Sequence, residues 1–325
     1  MNKKKLPGIL SDRHNRQLLV RRKNDVLLVY AFLIVMIAAA LFLSPNFVKP
    51  RNLRNLLCSN VGLLLATFSQ LIIISLGGVD LSIGSTISVV NVTAVLLLKE
   101  NPASWLLAFA VCLAIGAGIG FFNGLLVVRG HMQPIIATLA TQTVFAGVAL
   151  LILSMPGGTI PSVLSKFVTK GWNYTVPILI AVLFTALSWI LMNRSSFGRS
   201  VLATGGNEQS AECTGINVER VKVLAFVAAG VLAAVAGLYI TCFTTSGNPL
   251  VGEQYTQRSI TTAVVAGASL AGGKCSVIGC IAAVLIMGII NNILNLMGIS
   301  AYYQYVAQGV ILIGALALSA VRSEK

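Results

Sequence analysis

The sequence predicts an all-α, polytopic membrane protein of about ten transmembrane helices, some of them broken. Three observations carry that prediction. Of the 325 residues, 56% are hydrophobic and only 10% charged, whereas a soluble domain carries about a quarter charged residues. Apolar runs of membrane-crossing length recur along the chain, giving a mean hydropathy of +0.88. The charges gather in tails and loops, and Asp80 is the only acid between Asp25 and Glu100. The net charge of +14 therefore reads as a topology signal, and no nucleic-acid partner is implied.

Residues 1–25 form a basic tail, with Lys3, Lys4, Lys5, Arg13, Arg16, Arg21, Arg22 and Lys23 against Asp12 and Asp25. The apolar run that follows is too long for a secretory signal and lacks a small-residue cleavage site. The tail thus predicts a cytoplasmic N-terminus by the positive-inside rule. Crossings are expected near 26–43, 60–78, 83–98, 104–128, 133–154, 174–192, 222–242, 257–273, 277–297 and 302–320, making 26–320 one transmembrane domain. An even number of crossings returns residues 321–325 to the cytoplasm and places the 193–222 loop there too. Lys49, Arg51 and Arg54 then fall outside with Lys166 and Lys170, against the rule. The crossing at 257–273 is short and rich in Thr, Ser and Gly. Small residues mark two others: Gly116, Gly118 and Gly120 in 104–128, and Ala229, Gly230, Ala233, Ala234 and Gly237 in 222–242. Such faces let helix backbones approach closely in lipid.

Between the second and third runs lies S-L-G-G-V-D-L-S-I-G-S, Ser75 to Ser85. Gly77 and Gly78 weaken a helix through backbone entropy, while Asp80 and Ser82 are residues that start one. The pattern predicts a helix that stops and restarts near Ile83, which a membrane tolerates only where protein or a water-filled cavity covers it. Asp80 or Ser82 either caps the restarted helix, or the Asp80 carboxylate lines a solute pathway. Asparagine at position 80 separates the two readings, and the sequence expectation is that it inserts normally and loses much of the transport. An internal echo accompanies the break: Gly77-Gly78 is followed by Gly84, and Gly272-Gly273 at the same spacing by Gly279, as in transporters built from internal repeats. Gln70, Asn91, Asn123, Gln142, Asn291, Asn292 and Asn295 lie in or beside apolar runs. Such amides either join helices or face a polar path, and neutral donors and acceptors suit a neutral, hydroxyl-rich solute. Gly77, Gly78, Asp80, Ser82, Asn123, Asn291 and Asn292 are the candidate substrate-pathway residues. The lack of other charge within the crossings argues against a proton relay.

The 193–222 loop contains Gly205-Gly206 as a break, Asn207 as a candidate N-cap, Glu208 in the first turn and Gly215 as a stop. A short exposed helix there is either a docking element for a soluble partner or a solvated connection. Catalytic readings fail. The stretch Gly267 to Ser276 resembles a phosphate loop, but Cys275 follows Lys274 where Ser or Thr would hold magnesium. Six cysteines without a CxxC pair and only two histidines, His14 and His131, offer no metal or triad constellation. No catalytic residue, metal or bound cofactor is expected.

Four stretches carry a resemblance: G-G-V-D-L-S-I-G from Gly77, the 194–222 loop with R-S-S-F-G-R and G-G-N-E-Q-S-A-E-C-T-G-I-N-V-E-R-V-K, S-L-A-G-G-K-C-S-V-I-G from Ser269, and G-I-I-N-N-I-L-N-L-M-G-I from Gly288. From about Leu27 to Leu318 the chain resembles the permease subunits of bacterial ABC importers of the ribose/xylose/galactoside class, carbohydrate uptake type 2. The resemblance implies a dimeric pore with a second permease copy in the inner membrane. It also implies a separate cytoplasmic ATP-binding subunit that holds ATP and magnesium, and a periplasmic sugar-binding protein. By resemblance, Gly206, Asn207, Ala211 and Gly215, with Arg199 and Glu208, match the ATPase-coupling loop, and Gly77, Gly78, Asp80 and Ser82 match the broken-helix segment. The chain departs from the family at Tyr255-Thr256-Gln257-Arg258, where an acid-Leu-acid step is usual. It departs again at Cys275, Cys280 and Ser210, and these changes leave the substrate open. The alternative is a self-sufficient, gradient-driven transporter or channel for a small neutral solute.

Overall fold

A computed structural model of the chain describes residues 27–300 and scattered positions from 303 to 313. The basic tail, the C-terminal residues and the crossing expected at 302–320 lie outside the described residues, apart from those scattered positions. In order, the helices are α1 (Leu27–Leu43), α2 (Pro50–Ser75), α3 (Ile83–Leu97), α4 (Ala103–Val128), α5 (Pro134–Ile152), α6 (Ser162–Asn193), α7 (Ser196–Gly206), α8 (Glu208–Cys213), α9 (Val218–Thr244), α10 (Glu253–Val265) and α11 (Val277–Leu296). Among the described residues the only β pairing is an isolated bridge between Gly157 and Gly247. Six helices are long and apolar enough to cross a membrane: α2, α4, α5, the Tyr174–Asn193 part of α6, α9 and α11, while α1 and α3 are apolar but shorter.

The second helix is the axis of the bundle. It begins ten residues before the expected crossing because Pro50 occupies its first turn, where the missing N–H is no loss and the ring presets the backbone. From Val61 to Ser75 every residue is buried. Its principal neighbour is α9: the Ser69 hydroxyl donates to the Ala229 carbonyl at 2.7 Å, and the Tyr239 hydroxyl to the Cys58 carbonyl at 2.8 Å. The small faces meet as expected, with Gly116 of α4 against the Gly230 carbonyl of α9 and Gly120 against that of Phe226, so that no side chain fits between them. The far side of α4 carries exposed Leu106, Leu107, Phe121 and Phe122, a face suited to lipid.

The helix in the crossing expected at 257–273 starts earlier and is shorter than the sequence predicts. That stretch forms α10, of 13 residues, or about 20 Å at 1.5 Å per residue, against a hydrocarbon core of about 30 Å. The helix ends at Val265 and the chain reverses through Gly267, at φ 95°. The Ser259, Thr261 and Thr262 hydroxyls donate back to carbonyls one turn earlier, which satisfies those hydroxyls without water. Nearly as short is α3, at 15 residues. The two short helices touch where Gly84 abuts the Gly252 carbonyl and Gly252 N–H donates to the Ser88 hydroxyl at 3.0 Å.

Candidate functional site: a buried helix break and an exposed coupling helix

Chain reversal at the end of α2 uses Gly77, at φ +80°, a backbone conformation that disfavours a side chain. Gly78 lies against Pro134, and a methyl group there would sit 3.0 Å from the ring. With its amide oriented to satisfy both ends, Gln70 donates to the Asp80 carbonyl at 2.9 Å and accepts from the Asp80 N–H at 3.2 Å. This side chain latches the break to α2. The Asp80 carboxylate turns toward the restarting helix, where its Oδ1 accepts from the Ser82 N–H at 2.8 Å and the Ser82 hydroxyl at 2.6 Å. Asn123 of α4 donates to that hydroxyl at 2.7 Å. Neither Asp80 nor Ser82 caps the first turn of α3 directly; Asp80 folds the turn just ahead of it.

This cluster is dry. Asp80, Ser82 and Asn123 are 3%, 1% and 0% exposed. Around it, the Thr138 hydroxyl of α5 accepts from the Leu81 N–H at 3.1 Å, and the Thr256 hydroxyl of α10 donates to the Leu81 carbonyl at 3.4 Å. Four helices therefore hold one short turn. Oδ1 of Asn123 has no hydrogen-bond partner among the described residues. As arranged here, the Asp80 oxygen is spent on positioning the chain.

The candidate pathway residues do not converge on one point. Asn292 of α11 exchanges two hydrogen bonds with Asn52 of α2, at 2.8 and 2.9 Å, and Asn291 sits beside it on the same helix. Asn52 lies near the start of α2 and Ser75 at its end, about 35 Å apart at 1.5 Å per residue. Gly77, Gly78, Asp80, Ser82 and Asn123 thus form one group, and Asn291 and Asn292 belong to the opposite end. There a cavity of about 620 Å³ is lined by Lys49, Arg51, Asn52, Lys170 and Tyr174, among others, and Arg54 lies over the Tyr174 ring at 5.3 Å. Asn91 joins helices and loop: it donates to the Thr241 hydroxyl at 2.8 Å and accepts from the Asn248 N–H at 2.7 Å.

The candidate coupling segment lies at the Ser75 end. Ser195 caps α7 by accepting from the Gly198 N–H at 2.9 Å, and the Arg199 side chain donates to the Arg194 carbonyl at 2.9 Å. Gly206 ends α7, and Asn207 caps α8 by accepting from the Ser210 N–H at 2.8 Å. Past α8, Gly215 at φ +84° reverses the chain, and the Ile216 N–H returns to the Ala211 carbonyl at 3.2 Å. Ala211 is buried against the bundle while Glu208, Gln209, Glu212 and Gly215 face outward. Glu208 pairs with Lys222 at 2.5 Å.

Sequence reasoning missed three members of the break. Gln70 was legible only as one amide among seven, since nothing local tells which backbone it will latch. Thr138 and Thr256 gave no signal beyond being hydroxyls in apolar surroundings, although Thr256 falls in the very stretch where the chain departs from the ABC-permease pattern.

Membrane-length apolar helices around a buried, hydrogen-bonded break, with a short capped helix projecting from one end, define a multi-pass membrane transport protein. Comparison with known proteins narrows this. A family model described as "Branched-chain amino acid transport system / permease component" matches residues 52–316. The ribose import permease protein RbsC of Bacillus subtilis (strain 168) is 36% identical over 300 residues, covering 90% of this chain and 91% of that protein. In Escherichia coli (strain K12), the D-allose transport system permease protein AlsC is 30% identical over 299 residues, 90% of this chain and 91% of that protein. The L-arabinose transport system permease protein AraH of the same organism is 31% identical over 294 residues, 89% of this chain and 88% of that protein. No solved structure matches. The chain belongs to this family of transport-system permeases.

Proposed function

We propose that this chain is the membrane-spanning subunit of an ATP-driven ABC importer that brings a monosaccharide, or a similar small polar solute, across the bacterial inner membrane. The observation that carries this reading is the likeness, over about nine-tenths of the chain, to permeases named for ribose, allose and arabinose. These relatives favour a sugar over the amino acids in the family description, because each is 30% or more identical over about nine-tenths of the chain and is named for a sugar.

The full reading has ten crossings, with α3 and the short α10 counted among them, and both termini in the cytoplasm. Two copies form the pore. ATP and magnesium sit on a separate cytoplasmic subunit that docks on the exposed face of α8, and this chain holds no cofactor. A periplasmic binding protein delivers the solute to the end that carries Lys49, Arg51 and Lys170. Gly77-Gly78 and Gly272-Gly273 are matched breaks of an internal repeat. ATP binding draws the two α7–α8 segments together and opens the pore outward, and hydrolysis resets it. Two packings separated by a few kcal/mol meet this need.

The test is uptake in proteoliposomes by the purified chain, with and without the ATPase and binding protein that co-purify with it. Sugar accumulation that requires both partners and ATP supports the reading. Uptake by the chain alone, driven by a gradient, would replace it with the self-sufficient transporter.

A further inference from the structure

We infer that three glycine pairs join the two helix breaks to the end of α7, backbone on backbone, and that this joint positions both breaks when the docking end moves. The inference rests on the permease reading above and adds positioning residues, Gly205, Gly272 and Gly273, to the coupling role assigned to α8.

The joint begins with a hydrogen bond. Ser75 is the last residue of α2, and its carbonyl is one of those a helix end leaves without an internal partner. The Gly273 N–H, from the turn between α10 and α11, donates to it at 2.9 Å. That turn places Gly272 at φ +84° and Gly273 at φ +71°, mirroring Gly77 at φ +80° in the first break. Glycine is the residue that takes such angles without strain. The third pair closes the joint. A methyl group on Gly205 would run into the same Ser75 carbonyl and lie 2.9 Å from both the Gly273 nitrogen and the Leu76 Cα. One on Gly272 would run into the Gly205 carbonyl and lie 2.9 Å from the Gly77 nitrogen. One on Gly273 would lie 2.9 Å from the Gly206 Cα. The Gly272-Gly273 pair thus touches both other pairs through main chain, and Gly205 meets the first break at Ser75 and Leu76, just before Gly77.

Side-chain interfaces absorb a displacement by changing rotamers, and this contact has no side chains to change. Close-packed interiors transmit strain, so a shift of α7 reaches Ser75 and Gly273 together. From Ser75 it passes into the break that Gln70 and Asp80 hold rigid, and from Gly273 into the start of α11. At its other side α7 runs through Asn207 directly into α8. The sequence echo between the two Gly-Gly breaks acquires a mechanical meaning: both are shaped to meet one helix end.

The experiment uses the complete complex in proteoliposomes, with Gly205→Ala and Gly272→Ala. Gly118→Ala serves as control, because its added methyl group meets nothing within 4 Å. The expected result is complexes that assemble and hydrolyse ATP within about twofold of wild type, with uptake per ATP down by about tenfold or more, within the range of allosteric couplings. The control keeps its uptake per ATP. Unchanged uptake per ATP in both joint variants overturns the inference. A second measurement needs no substitution: amide exchange of the 268–276 and 203–207 segments in the wild-type complex. The Gly273 amide is expected to stay equally protected with and without ATP. Exchange that accelerates by about tenfold or more on ATP binding, the signature of local opening, shows that the joint parts and overturns the inference even if the alanine variants fail to insert. A wild-type complex with no ATP-driven uptake refutes the permease reading instead, and the exchange measurement still decides whether the three segments hold together.

Discussion

Asp80→Asn is expected to keep the fold, as the sequence suggests, and also most of the transport, which the sequence alone suggests it loses. The carboxylate Oδ1 accepts from the Ser82 N–H at 2.8 Å and the Ser82 hydroxyl at 2.6 Å, and asparagine retains an oxygen for both. A hydrogen bond to a charged group contributes about 1.5–3 kcal/mol and a neutral one about 0.5–1.5. Over two bonds the substitution therefore loses about 1–3 kcal/mol. Against this, Asp80 is 3% exposed and forms no ion pair among the described residues, so neutralising it relieves the cost of burying a charge. The terms oppose, and the net change is about 1 kcal/mol or less. Asp80→Ala differs, because it leaves the Ser82 N–H and hydroxyl without their acceptor in a dry interior, at about 1–3 kcal/mol for each group. Thermal melting of the purified complex, with ATP-driven uptake on the same preparations, checks both. The alanine variant should melt several degrees lower, and the asparagine variant should stay near wild type in both measurements. An asparagine variant that melts like wild type yet no longer transports would show that the charge itself is needed, and would place Asp80 in the pathway.

Four further outcomes are expected. Single cysteines at positions 166 and 253 should react with a membrane-impermeant reagent added outside intact cells, and one at 208 only after permeabilisation; labelling in the opposite sense would invert the topology. Gly215→Val should hydrolyse ATP without uptake, because φ +84° disfavours a side chain by roughly 1–2 kcal/mol and the turn that presents α8 would shift; normal uptake would remove that turn from coupling. Glu208→Arg should act in the same direction by placing a cation at the start of α8 beside Lys222, and the screened Glu208–Lys222 pair itself adds little stability. Asn292→Leu should lower the melting temperature by separating a reciprocal amide pair worth about 0.6–2 kcal/mol in a membrane, and Asn52→Leu combined with it should cost little more; additive losses would mean the two amides act apart.

Much of this architecture was legible because the bilayer imposes simple rules. Apolar runs gave helices at nearly the expected places, and the short helix after Asn207 ends at its glycine stop because capping chemistry is local. Failures came where tertiary contacts decide. The crossing expected at 257–273 gave a helix of 13 residues, since Gly267 turns the chain before the run ends. The helix expected at 174–192 begins earlier, at Ser162, and runs through Pro177 to Asn193 as α6. For Asp80 the sequence supplied the residue and the break, but not the direction of the carboxylate, which Ser82, Asn123 and the latch from Gln70 determine together across about 50 residues of chain.

The two ends of α2 are held by different means, and the difference bears on how the bundle can move. At the Ser75 end the contacts are main chain on main chain, with the Gly273 hydrogen bond and no rotamers to adjust. At the Pro50 end they are side chains: the Asn52–Asn292 amide pair, Arg54 over Tyr174, and a cavity of about 620 Å³ beside them. Amide pairs and cation–ring contacts break and re-form at modest cost, and a cavity leaves room for displacement. A motion started at α8 would then pass the glycine joint with little loss and appear as separation at the cationic end. On the proposed reading, that is the geometry alternating access requires: a stiff end at the candidate coupling helix, and a compliant end on the side assigned to solute entry.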